Sequence, residues 1–343
     1  MITPIEIKEQ VERTLLALPG VTGVGLGRNS PESINIYLKS ACPKITCNIP
    51  ESIGGVPVKQ IVTGKIEALN LLEPPVASRK DKFRPAPGGV SIGHFLVSAG
   101  TFGIVCYDAT TGEKLILSNN HVLANESSIQ NSRARAGDLI LQPGVADSAD
   151  IIANGLGELV RWIDMDEIGE VNANEVDCAV ARPANPDDIT DEILEIGRVT
   201  EIGEAVIGDE VEKSGRSSGL SSGRIEDINA TIKIDYGYFK NSAFRNQIVI
   251  TPGIAVGGDS GSAIIRKSDH KAVGLLVAGS ENITIANSIS RVAQALNINL
   301  GAPAPLPSQG QEGGNWGTVA ALGVLSLPFL FMKKNKDTRR YNG

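Results

Sequence analysis

After residue 90 the chain breaks into short apolar runs divided by glycine, asparagine, aspartate and serine. They read FLVSAGTFGIVCY, KLILSNNHVLA, DCAVARP, AVIGDEVEKSG, SSGRIEDINATIKIDY, NQIVITPG, SGSAIIR and AVGLLVAG. Runs of this length, spaced this regularly by turn residues, argue for a mainly β body of barrels or a sandwich. The 38 glycines among 343 residues supply the turns such a body needs. Near the end of this region RVAQALNI marks one closing helix, with Val292, Leu296 and Ile298 apolar.

The first 75 residues have a different texture. Ile5, Val11, Leu15 and Leu16 recur at helical spacing, and Pro19-Gly20 ends the run. Strand-like TGVGLGR and SINIYL follow, then VPVKQIV after Gly54-Gly55. We expect a small α+β domain over 1–75. The run Gly23-Val24-Gly25-Leu26-Gly27 lacks G-x-G-x-x-G spacing and no helix follows it, so it reads as structural. Residues 76–90, rich in proline and charge, read as a linker to a β-rich domain over 91–300. Residues 301–315 form a low-complexity spacer. Residues 316–332 carry no charge and Lys333, Lys334 and Lys336 follow. Seventeen such residues are at the short end for a bilayer span, so 316–343 reads either as a membrane anchor with a basic flank or as an apolar tail docked on protein.

A net charge of −7 argues against a nucleic-acid partner. The four cysteines show no zinc-site spacing, so no metal or other cofactor is expected. Cys42 and Cys47 are the one pair close enough in sequence to suggest a disulfide. The N-terminus has no basic start before an apolar run, which points to a cytoplasmic protein with reduced thiols. Oligomeric state leaves no sequence signal.

Three features carry chemistry. His121 closes the apolar strand in LILSNNHVLA; alone it reads as a surface-loop histidine, as do His94 and His270. Ser260 lies in GGDSGSAII, where glycines let successive N–H groups converge on one point. A serine there can attack a carbonyl while the Gly258 and Ser260 amides hold the oxyanion, although a plain turn fits too. Asp177 opens the apolar strand DCAVARP and needs a partner if buried. Asp147, Asp150, Asp164, Asp166, Asp187 and Asp188 sit in polar stretches and read as solvated. The stretch 164–175 lacks EF-hand spacing.

The order His121, Asp177, Ser260 matches one known triad order. With LSNNHVLA, VDCAVARP and GGDSGS the chain resembles chymotrypsin-fold (trypsin-like) serine peptidases of the bacterial and plant kind, which lack the animal disulfides. SGRSSGLSSGRI and VGLLVAGS extend the resemblance, which covers about 90–300. It implies two six-stranded-type β-barrels with the site between them. It also implies Ser260 as nucleophile, His121 as base and then acid, and Asp177 as the group that fixes the imidazole. Protein or peptide would be the substrate, and Ile254, Val277, Ala278 and Gly279 would border an apolar specificity pocket.

Four residues or features depart from the family pattern. Val122 follows the histidine where a cystine is common, and Asn120 precedes it where alanine is usual. No I-V-G-G start exists to pair with Asp259, and Ile254 replaces the acid of trypsin-like pockets. The alternative is a catalytically silent double barrel that binds or scaffolds.

Overall fold

The computed structural model describes residues 3–27, 32–41, 49–68, 79–148, 150–167, 174–237 and 241–302. Cys42 and Cys47, most of the 301–315 spacer and the whole 316–343 tail lie outside the described residues. Among the described residues no helix is long and apolar enough to cross a membrane.

The runs after residue 90 form two antiparallel systems. In the first, strands 104–108, 114–118, 179–183, 155–162, 139–141 and 91–94 lie side by side, with two-residue strands at either edge. Ile92, Phe102, Val105, Ile116, Val122 and Leu159 fill its core. In the second, strands 210–215, 263–266, 271–279, 284–288, 241–251 and 219–235 follow one another. The strand Glu210–Gly215 pairs again with Gly219–Asp235, which closes six strands into a barrel. The mainly β, double-barrel architecture expected from the sequence is the one observed.

A third cluster joins the two halves. Ile104, Leu115, Cys178 and Val180 of the first meet Ala263, Ile265 and Leu275 of the second. The helix Ile289–Leu296 seals the cluster with Ile289, Val292 and Leu296. Cys106 and Cys178 are free and fully buried here, and burial pushes both thiols up.

The N-terminal segment forms the expected helix, hairpin and strand. Its helix, Pro4–Leu16, starts on a capping box in which Thr3 and Glu6 bond reciprocally. Leu15 and Leu16 are buried, whereas Ile5 faces solvent and Ile7 packs inward instead. The helix rests on the second barrel through Lys8, whose Nζ reaches Asn229 Oδ1 at 3.1 Å and Thr231 Oγ1 at 3.4 Å and pairs within the helix with Glu12. The hairpin strands Val21–Gly27 and Ser33–Leu38 continue the barrel's sheet, because Gly23 and Val24 pair with Ile232 and Thr231. The glycine run is the reason this seam closes: a Cβ at Gly25 would overlap the Asp227 carboxylate.

The linker expectation needs correction from Arg79 onward. Arg84 donates to Gln142 Oε1 at 2.7 Å and to the Gly155 carbonyl at 3.0 Å. Ala86 and Val90 are fully buried, and Ala86–Gly88 pairs with Ile189–Ile193. Proline and charge mimic a linker here because the segment is anchored by a guanidinium rather than by an apolar run.

Asp227 at the seam is fully buried and accepts from the Tyr37 hydroxyl at 3.2 Å and the Asn229 amide at 2.8 Å. Burial pushes its carboxyl up to about 7 from an ordinary 3.8, despite those bonds. A raised acid binds more protons folded than unfolded, so its contribution is full below the ordinary value and is lost as pH rises through about 7. Asp227→Asn should therefore flatten the fall in unfolding free energy between about pH 4 and pH 7, by up to roughly 4 kcal/mol, in urea titrations. Identical slopes in variant and wild type would contradict this.

Candidate active site

His121 is delivered by a strand that ends abruptly. Lys114–Ser118 gives way at Asn119, which caps the four-residue helix Asn120–Leu123. Val122 and Leu123 sink into the first barrel's core and fix the turn, so the imidazole is buried rather than at the surface. Asn120 bridges the carbonyls of Ser127, at 2.9 Å, and Ile163, at 2.7 Å. The departure noted at this position is thus a polar staple under the histidine.

Asp177 precedes the strand Ala179–Pro183 and has no exposed surface. Its Oδ2 accepts from His121 Nδ1 at 2.5 Å, and its Oδ1 accepts from the His121 amide at 3.2 Å. The Tyr236 hydroxyl donates to the same Oδ2 at 2.9 Å. Main-chain bonds lock the aspartate further: Asn119 Nδ2 donates to its carbonyl at 2.7 Å, and its amide donates to Asn287 Oδ1 at 2.9 Å. Burial works against the imidazolium, but the attraction of Asp177 and the hydrogen bond to it prevail, so the His121 pKa lies above its ordinary 6.5.

Ser260 comes from the second barrel. Its carbonyl accepts from the Thr101 amide at 2.8 Å, and the same carbonyl and the Val122 side chain leave no room for a Cβ at Gly100. That contact sets the serine loop against the histidine turn. The Ser260 hydroxyl donates to the Val277 carbonyl at 3.3 Å, while His121 Nε2 is buried with no hydrogen-bond partner among the described residues. Gly258 and Gly261 both take φ near +92°, a conformation suited to glycine. The amides of Asp259, Gly261 and Ser262 donate to the carbonyls of Val256, Leu276 and Asp259. Those of Gly258 and Ser260 have no such backbone acceptor among the described residues.

The remaining expected positions divide. Val277 and Ala278 are buried in one core cluster with Tyr236 and Phe244, and Ile254 lies in another with Ile225 and Leu276. Ile254 donates its amide to Thr284 Oγ1 at 2.9 Å. Along Ala278 and Gly279 one strand edge pairs with Ile285 and Thr284, and the other with Ala68 and Glu67.

Two histidine and carboxylate expectations are revised. His94 is fully buried; its Nε2 lies 3.1 Å from Asp138 Oδ2 and its Nδ1 accepts from the Leu96 amide. Burial lowers its pKa, which suits a neutral core histidine. His270 is exposed, as expected. Asp147 is not solvated: it holds the buried Arg216 through Nε, at 2.5 Å, and Nη2 of one guanidinium edge.

The residue that sequence reasoning missed is Lys213. Its Nζ stands 2.8 Å from Asp259 Oδ2, and neither side chain is exposed. Asp259 also accepts from the amides of Ser217, Ser218 and Val256 at 2.9, 3.1 and 3.0 Å. Burial raises the Asp259 carboxyl, yet Lys213, the Ser218 hydroxyl and the Val256 amide outweigh it and the net shift is downward. A lysine inside the chain thus neutralises Asp259 without a freed terminus. The signal was present: Val211 and Lys213 share the inward parity of one strand.

No protein-family model matches the chain. Over 84 residues it is 34% identical to Serine protease 2 of Streptomyces fradiae, which is 24% of this chain and 44% of that protein. The chain thus spans less than half the length of that relative. Among solved structures, a glutamic acid-specific serine protease is 18% identical with a TM-score of 0.46, covering 63% of this chain and all of that one. A Nocardiopsis protease is 19% identical with a TM-score of 0.46 over 63% of this chain and all of that one. Thermobifida fusca protease A is 18% identical with a TM-score of 0.45 over 64% of this chain and all of that one. Over those 84 residues the chain is similar to a serine protease.

Removing the cation while keeping its stem tests the loop's dependence on Lys213. Lys213→Met leaves a buried carboxylate without its counter-charge and should cost about 3–5 kcal/mol in chemical unfolding. A cost under about 1 kcal/mol would contradict that dependence.

Proposed function

We propose that this chain is a serine endopeptidase acting on protein or peptide through an acyl-enzyme. The observation that carries the reading is the asymmetric state of His121. One ring nitrogen is tied to a buried carboxylate, and the other is buried beside the Ser260 loop with no hydrogen-bond partner among the described residues. An imidazole so held has a fixed tautomer, with Nδ1–H directed at Asp177 and the Nε2 lone pair left to accept a proton.

The steps follow. Rotation about the Cα–Cβ bond of Ser260 exchanges the Val277 carbonyl for His121 Nε2 as acceptor. The hydroxyl oxygen then attacks the substrate carbonyl carbon as its proton passes to Nε2. The amides of Gly258 and Ser260 hold the oxygen that gains charge, and Asp177 stabilises the imidazolium. Collapse of the tetrahedral species expels the amine, which takes the proton from Nε2. Water repeats the sequence on the ester and frees Ser260. No metal or organic cofactor enters any step.

A second reading has one observation in its favour. The Ser260 hydroxyl is bonded to a carbonyl rather than to the imidazole, as a catalytically silent binding barrel would also allow.

Fluorophosphonate labelling separates the two. Folded full-length protein should be labelled on the Ser260 peptide, and Ser260→Ala should abolish the label; no label on folded protein would favour the silent barrel. In the active protein, Asp177→Asn should lower kcat by the order of 10⁴-fold. A near-wild-type rate would remove Asp177 from the reaction. Because the His121 pKa is raised, its cation persists to higher pH, so kcat/KM should fall on acidification from a midpoint above 6.5. A midpoint below that value would contradict the Asp177 pairing.

A further inference from the structure

We infer that Tyr236 is a positioning residue of this site: its hydroxyl orients the Asp177 carboxylate and, through it, the imidazole of His121. This rests on the peptidase reading above. Tyr236 immediately follows the strand Gly219–Asp235 and is buried. Its hydroxyl meets Oδ2, the oxygen that takes His121 Nδ1–H, so two donors converge on one atom. Its ring stands edge-on to the imidazole, with centroids 5.7 Å apart and planes at 68°. The tyrosine therefore bonds the carboxylate and faces the ring it steers, but among the described residues it hydrogen-bonds neither Nε2 nor the Ser260 hydroxyl. At Val277, whose carbonyl takes the serine hydroxyl, the side chain has no hydroxyl to offer.

The chain holds Tyr236 from behind through its N-terminal segment. The Asp235 carboxylate pairs with Lys65 Nζ at 2.7 Å, and the Asp235 amide donates to the Ile66 carbonyl at 3.3 Å. Ile66, Tyr236 and Phe244 share one core cluster. Residues 65–68 thus brace the tyrosine, which gives the segment before the barrels a mechanical link to the site. Burial, then the Asp177 charge, pushes the phenol well above its ordinary range, so it stays a donor. The titratable groups acting on this cluster are Asp177 and Glu126, which act on both rings; Asp177 also raises the buried thiol of Cys178.

A donor on the carboxylate tempers its pull on the imidazolium, so losing it raises the His121 pKa. The test is Tyr236→Phe in the full chain, which deletes one oxygen and keeps the ring. We expect kcat to fall about tenfold or more with KM changed less than about twofold. We also expect the acidic limb of kcat/KM and the His121 NMR titration to move to higher pH. Among three histidines the His121 signal is assignable through His121→Gln. The NMR titration needs no turnover, so it can fail while Ser260 labelling succeeds, and the reverse. Unchanged kcat with an unshifted His121 titration in a folded variant would overturn the role and leave Tyr236 a packing residue. Should the variant not fold, the ring ¹³Cζ shift of Tyr236 in the wild-type protein decides. It should track the His121 titration, and invariance across that range overturns the inference.

Discussion

A carboxylate with no exposed surface persists only if both its oxygens find donors. Asp177 meets that demand with His121 Nδ1, the His121 amide and the Tyr236 hydroxyl. Those donors come from two separate parts of the chain and the aspartate from a third, so satisfying one buried charge brings three segments to one point. The short helix after Ser118, the opening of the strand at 179 and the end of the long strand at 235 are all constrained by it. Asn119 and Asn287 extend the same logic to the aspartate's own backbone.

The serine loop is organised by a second buried charge. Asp259 collects one ammonium and three amides, while the Gly258 and Ser260 amides have no backbone acceptor among the described residues. Gly215 is required beside it, since a Cβ there would overlap the Asp259 carboxylate. The two barrels thus contribute different electrostatic parts. One side holds an imidazole with a raised proton affinity, and the other an amide-lined loop braced by an internal ion pair. The N-terminal segment is woven into this arrangement by backbone pairing at Gly23 and Val24 and again at Glu67 and Ala68.

Much of this was legible in the chain. Period-two runs between glycine-rich turns dictate strands, and the strand ends carry His121, Asp177 and Ser260. Loop chemistry at GGDSGS is local, so its φ > 0 glycines could be read from the residues alone. What could not be read were partners far away along the chain. Tyr236 continues the inward parity of Ile232 and Ile234, but nothing local links it to an aspartate 59 residues earlier. His94 and Asp147 were misjudged because flanking polarity reports only on the neighbourhood in sequence. Their burial is compensated by Asp138 and by Arg216. Residues 79–90 misled for the same reason, since an arginine can anchor a segment as firmly as a leucine.

The central claim is that the hydroxyl at 260 and the free nitrogen at 121 work as a pair. The most direct measurement is a crystal structure of the full chain after reaction with a peptidyl phosphonate. The account predicts phosphorus bonded to Ser260 Oγ, its oxygen within hydrogen-bond reach of the Gly258 and Ser260 amides, and His121 Nε2 directed at the adduct. An unmodified serine still bonded to the Val277 carbonyl, or an adduct on another residue, would contradict it.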